Sequence, residues 1–194
     1  DEAPLATSFR LEDRDQHPIL VISFEGDYGY GSQGNGDADD MGQAARRALE
    51  DCPMAEGVIL DGTRLNYEWG DALSEAWVSA DWPTLWAVGK GCIEGLTSFC
   101  EAERGECPDD VLFPGMSAAL SEMRRRLREG KATKRDPAGR LQSEWERVPE
   151  GVRTRHWDYE AKRLSRKLRS EELSVRQKTV SYTSYYDEHP HFVQ

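Results

Sequence analysis

The sequence predicts an α/β fold: a mixed, mainly parallel sheet with amphipathic helices against it, followed by a helical or extended C-terminal extension. Three observations carry this. Apolar runs of strand length alternate with segments of helical periodicity up to about Gly130. Runs such as Val58-Ile-Leu60 are continuously apolar, as in strands covered on both faces. The charge balance also changes sign along the chain. Residues 1–130 hold 11 Lys and Arg against 26 Asp and Glu, a balance of −15, whereas residues 131–194 hold 14 against 10, a balance of +4. The expected division is therefore an α/β domain over residues 1–130 and a basic, aromatic extension over 131–194.

Ser8 to Arg14 alternates like a half-exposed strand, and Asp15-Gln-His-Pro18 carries turn signals. Ile19 to Phe24 is an apolar β-rich run, so the two strands form an opening hairpin. The stretch from Gly26 to Asp40, rich in Gly and Asp, reads as an irregular loop. Met41, Ala44, Ala45, Ala48 and Leu49 recur at helical spacing, and Cys52-Pro53 ends that helix. Gly57 to Leu60 is a short buried strand followed by a turn. Asp71 then caps a helix that turns Ala72, Leu73, Ala76, Trp77 and Ala80 inward, with Glu75 in its first turn. Thr84 to Val88 is the next strand, Gly89-Lys-Gly91 a turn, and Cys92, Leu96, Phe99 and Cys100 one face of a helix. Val111 to Phe113 makes a last strand. Met116, Ala119, Leu120, Met123 and Leu127 stripe a last helix, its basic end suits the helix dipole, and Gly130 stops it.

Beyond Gly130 the pattern weakens. Residues 131–139 read as linker, Leu141, Trp145 and Val148 as a short helix, and Trp157, Ala161, Leu164 and Leu168 as a longer one. Val175 to Tyr186 reads as an added strand or an ordered arm.

Composition restricts the function classes. An acidic body with net charge −11 repels nucleic acid and anionic lipid, which excludes both as expected partners. No apolar run reaches the roughly 18 residues of a membrane-spanning helix, and no leader-like segment is seen. Cys52, Cys92, Cys100 and Cys107 form no CxxC pair, which suits idle thiols in a reducing cytoplasm. The basic extension has the charge to fold onto its own body or to grip an acidic partner; a solvated helical tail is the plain alternative.

Few motifs suggest chemistry. Gly29-Tyr-Gly-Ser-Gln-Gly34 matches the dinucleotide pattern GxGxxG, but six residues separate it from the predicted helix and several aspartates would repel a pyrophosphate. Asn35, Asp37, Asp39 and Asp40 match no complete calcium loop. His189-Pro-His191 lacks further ligands, so no metal or cofactor is expected. Cys92 at a helix start has no histidine near in sequence and reads as a core thiol.

The hairpin into Ile19-Leu-Val-Ile-Ser-Phe-Glu-Gly-Asp27, with Ala48-Leu-Glu50, Val58-Ile-Leu-Asp61, Leu65-Asn-Tyr67, Val111-Leu-Phe-Pro114 and Ala118-Ala-Leu120, resembles the STAS family. That family is shared by sulfate transporters and anti-sigma-factor antagonists, and the likeness covers residues 8–128. It implies a module regulated by a partner kinase. Where antagonists of that family carry a phosphorylatable hydroxyl, this chain has Glu68-Trp-Gly-Asp71, so the phospho-switch is not expected. Asp71 is either a plain helix cap or a fixed carboxylate in that place. Tyr67, Glu68, Trp69, Gly70 and Asp71 form the expected binding surface, with Trp69 either an exposed anchor or a core residue.

A second likeness, to the crotonase fold, rests on Leu60, Gly62, Tyr67, Gly70 and Leu73 and on Pro83 to Gly95. It implies an oxyanion site at Gly70 and Gly91 acting on an acyl-CoA thioester, with Glu94 as acid/base. The expectation is a non-catalytic, regulatory protein-protein interaction module of a bacterial cytoplasm, acting on a protein partner that an acidic body would favour being basic: a regulatory kinase or sigma system, or a toxin neutralised by an immunity protein. The sequence leaves the oligomeric state open.

Overall fold

Alternation in the three central strands builds the first sheet. The computed structural model describes residues 4–13, 16–70, 72–75, 83–104, 107–135, 141–148, 151–159, 166–175 and 178–182. Strand β1 (Ala6–Glu12) pairs antiparallel with β2 (Ile19–Asp27), Ala6 lying opposite Glu25 and Glu12 opposite Ile19. Strands β3 (Gly57–Asn66), β4 (Thr84–Val88) and β5 (Leu112–Pro114) continue the sheet in parallel, giving the order β1-β2-β3-β4-β5. The α/β class and the opening hairpin are as expected from the sequence.

Because side chains alternate along a strand, each central strand feeds two cores. Leu20, Ile22, Val58, Leu60, Trp86 and Val88 face helix α1 (Asn35–Asp51) and helix α2 (Ile93–Phe99). Ile19, Val21, Ile59, Leu85 and Ala87 face helix α4 (Gly115–Glu129), which follows the single turn α3 (Pro108–Val111). The crossovers through α1 and α2 lie on the same face, as a shared handedness requires in a sheet of monotonic order.

The sequence misplaces several boundaries. The Gly/Asp-rich stretch is not an irregular loop throughout: Gly31–Gly34 forms a 3-10 turn and α1 begins at Asn35. Ala38, three residues before Met41, extends the buried stripe, and Asp37 suits the positive end of the helix. The short strand 57–60 continues to Asn66 without a turn. Asp61-Gly-Thr63 is instead a bulge, with Ser23 opposite Asp61 but Glu25 opposite Arg64. The Asp61 carboxylate accepts bonds from the Thr63 N–H (3.0 Å) and hydroxyl (2.7 Å). One extra residue flips the side-chain parity, so Leu65 joins the same core as Leu60. Val111 closes α3 rather than opening β5. Leu73–Glu75 forms a 3-10 turn, while Asp71, Ala76, Trp77 and Ala80 lie outside the described residues.

The last helix ends as the sequence implies: Gly130 adopts φ 65°, a left-handed cap open to glycine at little cost. On its underside the buried Arg126 donates to Glu122 (2.6 Å) and to the Asp110 carbonyl (2.8 Å) and lies 5.8 Å from the Phe113 ring centre. Arg125 foremost, then Arg126, holds the Glu122 carboxyl down to about 2 against the opposing effect of burial.

The extension departs furthest from expectation. Residues expected as linker form β6 (Lys131–Arg135), and the two expected helices are replaced by β7 (Leu141–Val148), β8 (Gly151–Tyr159) and β9 (Arg166–Val175). Strand β10 (Lys178–Tyr182) falls within the segment read as an added strand or arm. All five pair antiparallel in chain order. Ala161 and Leu164 lie outside the described residues. Trp145 of β7 is buried in the α4-side core beside Ile19, Leu85 and Met123, so the second sheet shares that core with the first.

Candidate functional site

Strands β2, β3 and β4 end side by side at Asp27, Asn66 and Val88, and the loops beyond them are tied to one another. The Tyr28 N–H donates to the Asn66 carbonyl (2.9 Å), the Tyr67 N–H to the Gly91 carbonyl (2.9 Å), and the Gly31 N–H to the Trp69 carbonyl (3.1 Å). The Asn66 side-chain amide donates to Asp27 (2.6 Å). In a parallel sheet this carboxyl edge is where loops from neighbouring strands converge on a ligand.

Tyr28 organises the edge. Its ring meets Tyr67 edge-on, with centroids 5.1 Å apart, and packs against the backbones of Gly34 and Gly70. A Cβ at Gly34 would approach the Tyr28 ring to 2.1 Å, and one at Gly70 to 2.4 Å. The GxGxxG match is therefore a packing motif. The Gly29 N–H, which a phosphate would need, donates to the Asp37 carboxylate at 2.8 Å.

The expected surface residues divide. Tyr67 is buried, its hydroxyl 3.5 Å from the Gly70 carbonyl, and supports the loop from beneath rather than presenting its ring to solvent. Gly70 is buried beside Tyr28. Glu68 is exposed, and Trp69 is an exposed residue rather than a core one, at 50 % accessibility. Asp71 lies outside the described residues. Of the alternative set, Gly91 sits on the exposed β4–α2 turn and Glu94 is exposed in the first turn of α2. A Cβ on Gly95 would lie 2.6 Å from the Glu68 carbonyl, so the segments carrying Glu68 and Glu94 are in contact.

Two residues that the sequence did not single out complete this surface. Tyr30 is 65 % exposed with its ring 5.8 Å from that of Trp69, and Ile93 is 41 % exposed. These three account for most of the exposed large apolar side chains among the described residues, the others being Phe9 and Met54. The available signal was an aromatic residue with glycine on either side, at Gly29 and Gly31. Gly31, at φ 60°, approaches the Trp69 ring so closely that a Cβ would lie 3.0 Å from it. Trp69 is thus held in place while remaining half open to solvent.

Groups with chemical potential elsewhere are otherwise occupied. The buried Cys92 thiol donates to the Gly62 carbonyl (3.1 Å), and burial, aided by the Asp61 carboxylate, pushes its pKa up despite a bond to Gly89. It is a core thiol, not a thiolate nucleophile. His17 bonds Glu56 at 2.7 Å, while His189 and His191 lie outside the described residues. Among the described residues no three His, Cys, Asp or Glu side chains gather as a metal site, and no helix is long and apolar enough to cross a membrane. Compared with known proteins, the chain matches no family model, no curated protein and no solved structure.

Proposed function

We propose that this chain is a STAS-like, non-catalytic regulatory module that recognises a basic protein partner through the carboxyl edge of its first sheet. The reading is carried by one observation: Tyr30 and Trp69 stand exposed as an adjacent aromatic pair on loops fixed by backbone bonds and by close-packed glycines. Rigid exposed aromatics lose little freedom on binding and commonly anchor interfaces. The acidic body, net −11 over the whole chain, favours and steers a basic partner. With Glu68-Trp-Gly-Asp71 in place of a phosphorylatable hydroxyl, recognition on this reading is constitutive. The partner belongs to a bacterial cytoplasmic kinase or sigma system, or is a toxin for which this chain is the immunity protein.

Affinity capture with the intact chain tests this. The expected result is one dominant protein partner, lost in Tyr30→Ala and Trp69→Ala variants that melt at the wild-type temperature. Absence of a partner, together with a melting temperature raised by acyl-CoA and turnover abolished by Glu94→Gln, would replace this reading with catalysis.

A further inference from the structure

We infer that the Tyr30–Trp69 pair is a receptor for an arginine side chain of the partner, an inference that rests on the recognition reading above. The two rings are tilted by 49° with centroids 5.8 Å apart, and both are open to solvent. The backbone of Gly31 packs against the Trp69 ring, and its N–H holds the Trp69 carbonyl. Such a surface offers a guanidinium the electron-rich face of an indole, the best cation–π acceptor among side chains.

The charges nearby have the complementary sign. Across residues 27–34, 67–70 and 89–95 the ionisable acids are Asp27, Glu68 and Glu94, and Lys90 is the single base. Asp27 is engaged by the Asn66 amide. Glu68 directly precedes Trp69, and Glu94 lies on the turn packed against the Glu68 carbonyl; both are exposed. Arginine fits this arrangement better than lysine, because its planar fork can stack on a ring and bond a carboxylate together, whereas an ammonium acts as a point charge.

The inference is tested on the intact chain by nuclear magnetic resonance with three capped pentapeptides that differ at one residue: arginine, lysine or the neutral isostere citrulline. The Trp69 indole and Gly31 amide signals are assigned by their change in Trp69→Phe. The arginine peptide is expected to shift both signals saturably, with a dissociation constant on the order of millimolar. Lysine should bind several-fold more weakly, and citrulline should leave the signals unmoved. Glu68→Gln, which preserves shape, should weaken arginine binding about threefold or more, and added salt should weaken it further. Equal shifts from citrulline and arginine, or no shift of Trp69 and Gly31 at about 10 mM peptide, would overturn the inference. Partner capture that needs Trp69 but ignores both salt and Glu68→Gln would overturn the arginine receptor and keep the recognition reading. Arginine-specific shifts alongside capture that is indifferent to Trp69→Ala would support the receptor and remove the reading on which it rests.

Discussion

In the first sheet, β2, β3 and β4 are covered on both faces, and the crossovers between parallel strands bring α1 and α2 onto one of them. In the second sheet, β6 to β10 run antiparallel in simple chain order, and Trp145 is the described side chain that joins it to the α4-side core. The first arrangement converges loops from distant parts of the sequence onto one edge. The second pairs each strand with its sequence neighbour. The difference places the candidate site: Tyr30 and Trp69 follow β2 and β3 and meet because those strands are parallel neighbours, while Ile93 opens α2 beyond β4 at the same edge.

The largest expected effect lies inside the first sheet. Trp86 is fully buried, with its ring 6.0 Å from that of Phe24, and Trp86→Ala should cost about 3–5 kcal/mol in denaturant unfolding. Trp145→Ala sharpens the contrast, because it removes the anchor of the second sheet. A cost of about 2–4 kcal/mol is expected, with calorimetry separating one unfolding transition into two. The buried Trp145 indole N–H has no hydrogen-bond partner among the described residues, so Trp145→Phe should be within about 1 kcal/mol of wild type. A single transition at wild-type temperature in Trp145→Ala would show that the two sheets do not depend on that contact.

The first sheet was readable because β2, β3 and β4 each carry a continuous apolar run and α1 and α4 carry apolar stripes at helical spacing. The second sheet misled for a specific reason. Leu141, Trp145 and Val148 follow one another at four and three residues, a helical spacing, and in β7 a register shift opposite Lys134 and Arg135 interrupts the strict alternation that marks a strand. Its strands are rich in charge, as in Arg153-Thr-Arg155, which removes the apolar run that marked β2. At the candidate site, the helix-start pattern near Glu68 to Asp71 falls on the loop that carries the exposed Trp69. The exposure of Trp69 and its meeting with Tyr30 depend on the bulge at Asp61-Gly-Thr63 and on glycine packing, which no local pattern announces.

Acid probes the α4 side, against which the second sheet packs. The Glu122 carboxyl is held at about 2 in the folded chain, below its ordinary 4.5, so its contribution is complete above about 4.5 and disappears as pH falls toward 2. Glu122→Gln should lower stability by about 1–2 kcal/mol at neutral pH and flatten the loss of stability across that window. An unchanged acid limb would show that another carboxylate dominates it. The smallest effect should come from Gly36→Ala: a Cβ there meets nothing within 4 Å, and the residue lies in α1. A gain of about 0.5–1 kcal/mol is expected. At Gly34, two residues earlier, the same change should destabilise, since its Cβ would run into Tyr28. Equal effects at the two positions would contradict the packing account of the glycine motif.

The proposal that this edge recognises a partner is tested most directly by comparing two exposed apolar side chains at opposite ends of the first sheet. Trp69 follows the carboxyl end of β3, and Met54, 56 % exposed, precedes its amino end. Binding of the captured partner to wild type, Trp69→Ala and Met54→Ala is measured by titration calorimetry alongside melting temperature. The account predicts at least a tenfold loss of affinity (about 1.4 kcal/mol) for Trp69→Ala, an unchanged affinity for Met54→Ala, and melting temperatures within a few degrees of wild type for both. Equal affinities for wild type and Trp69→Ala, or a loss confined to Met54→Ala, would contradict it.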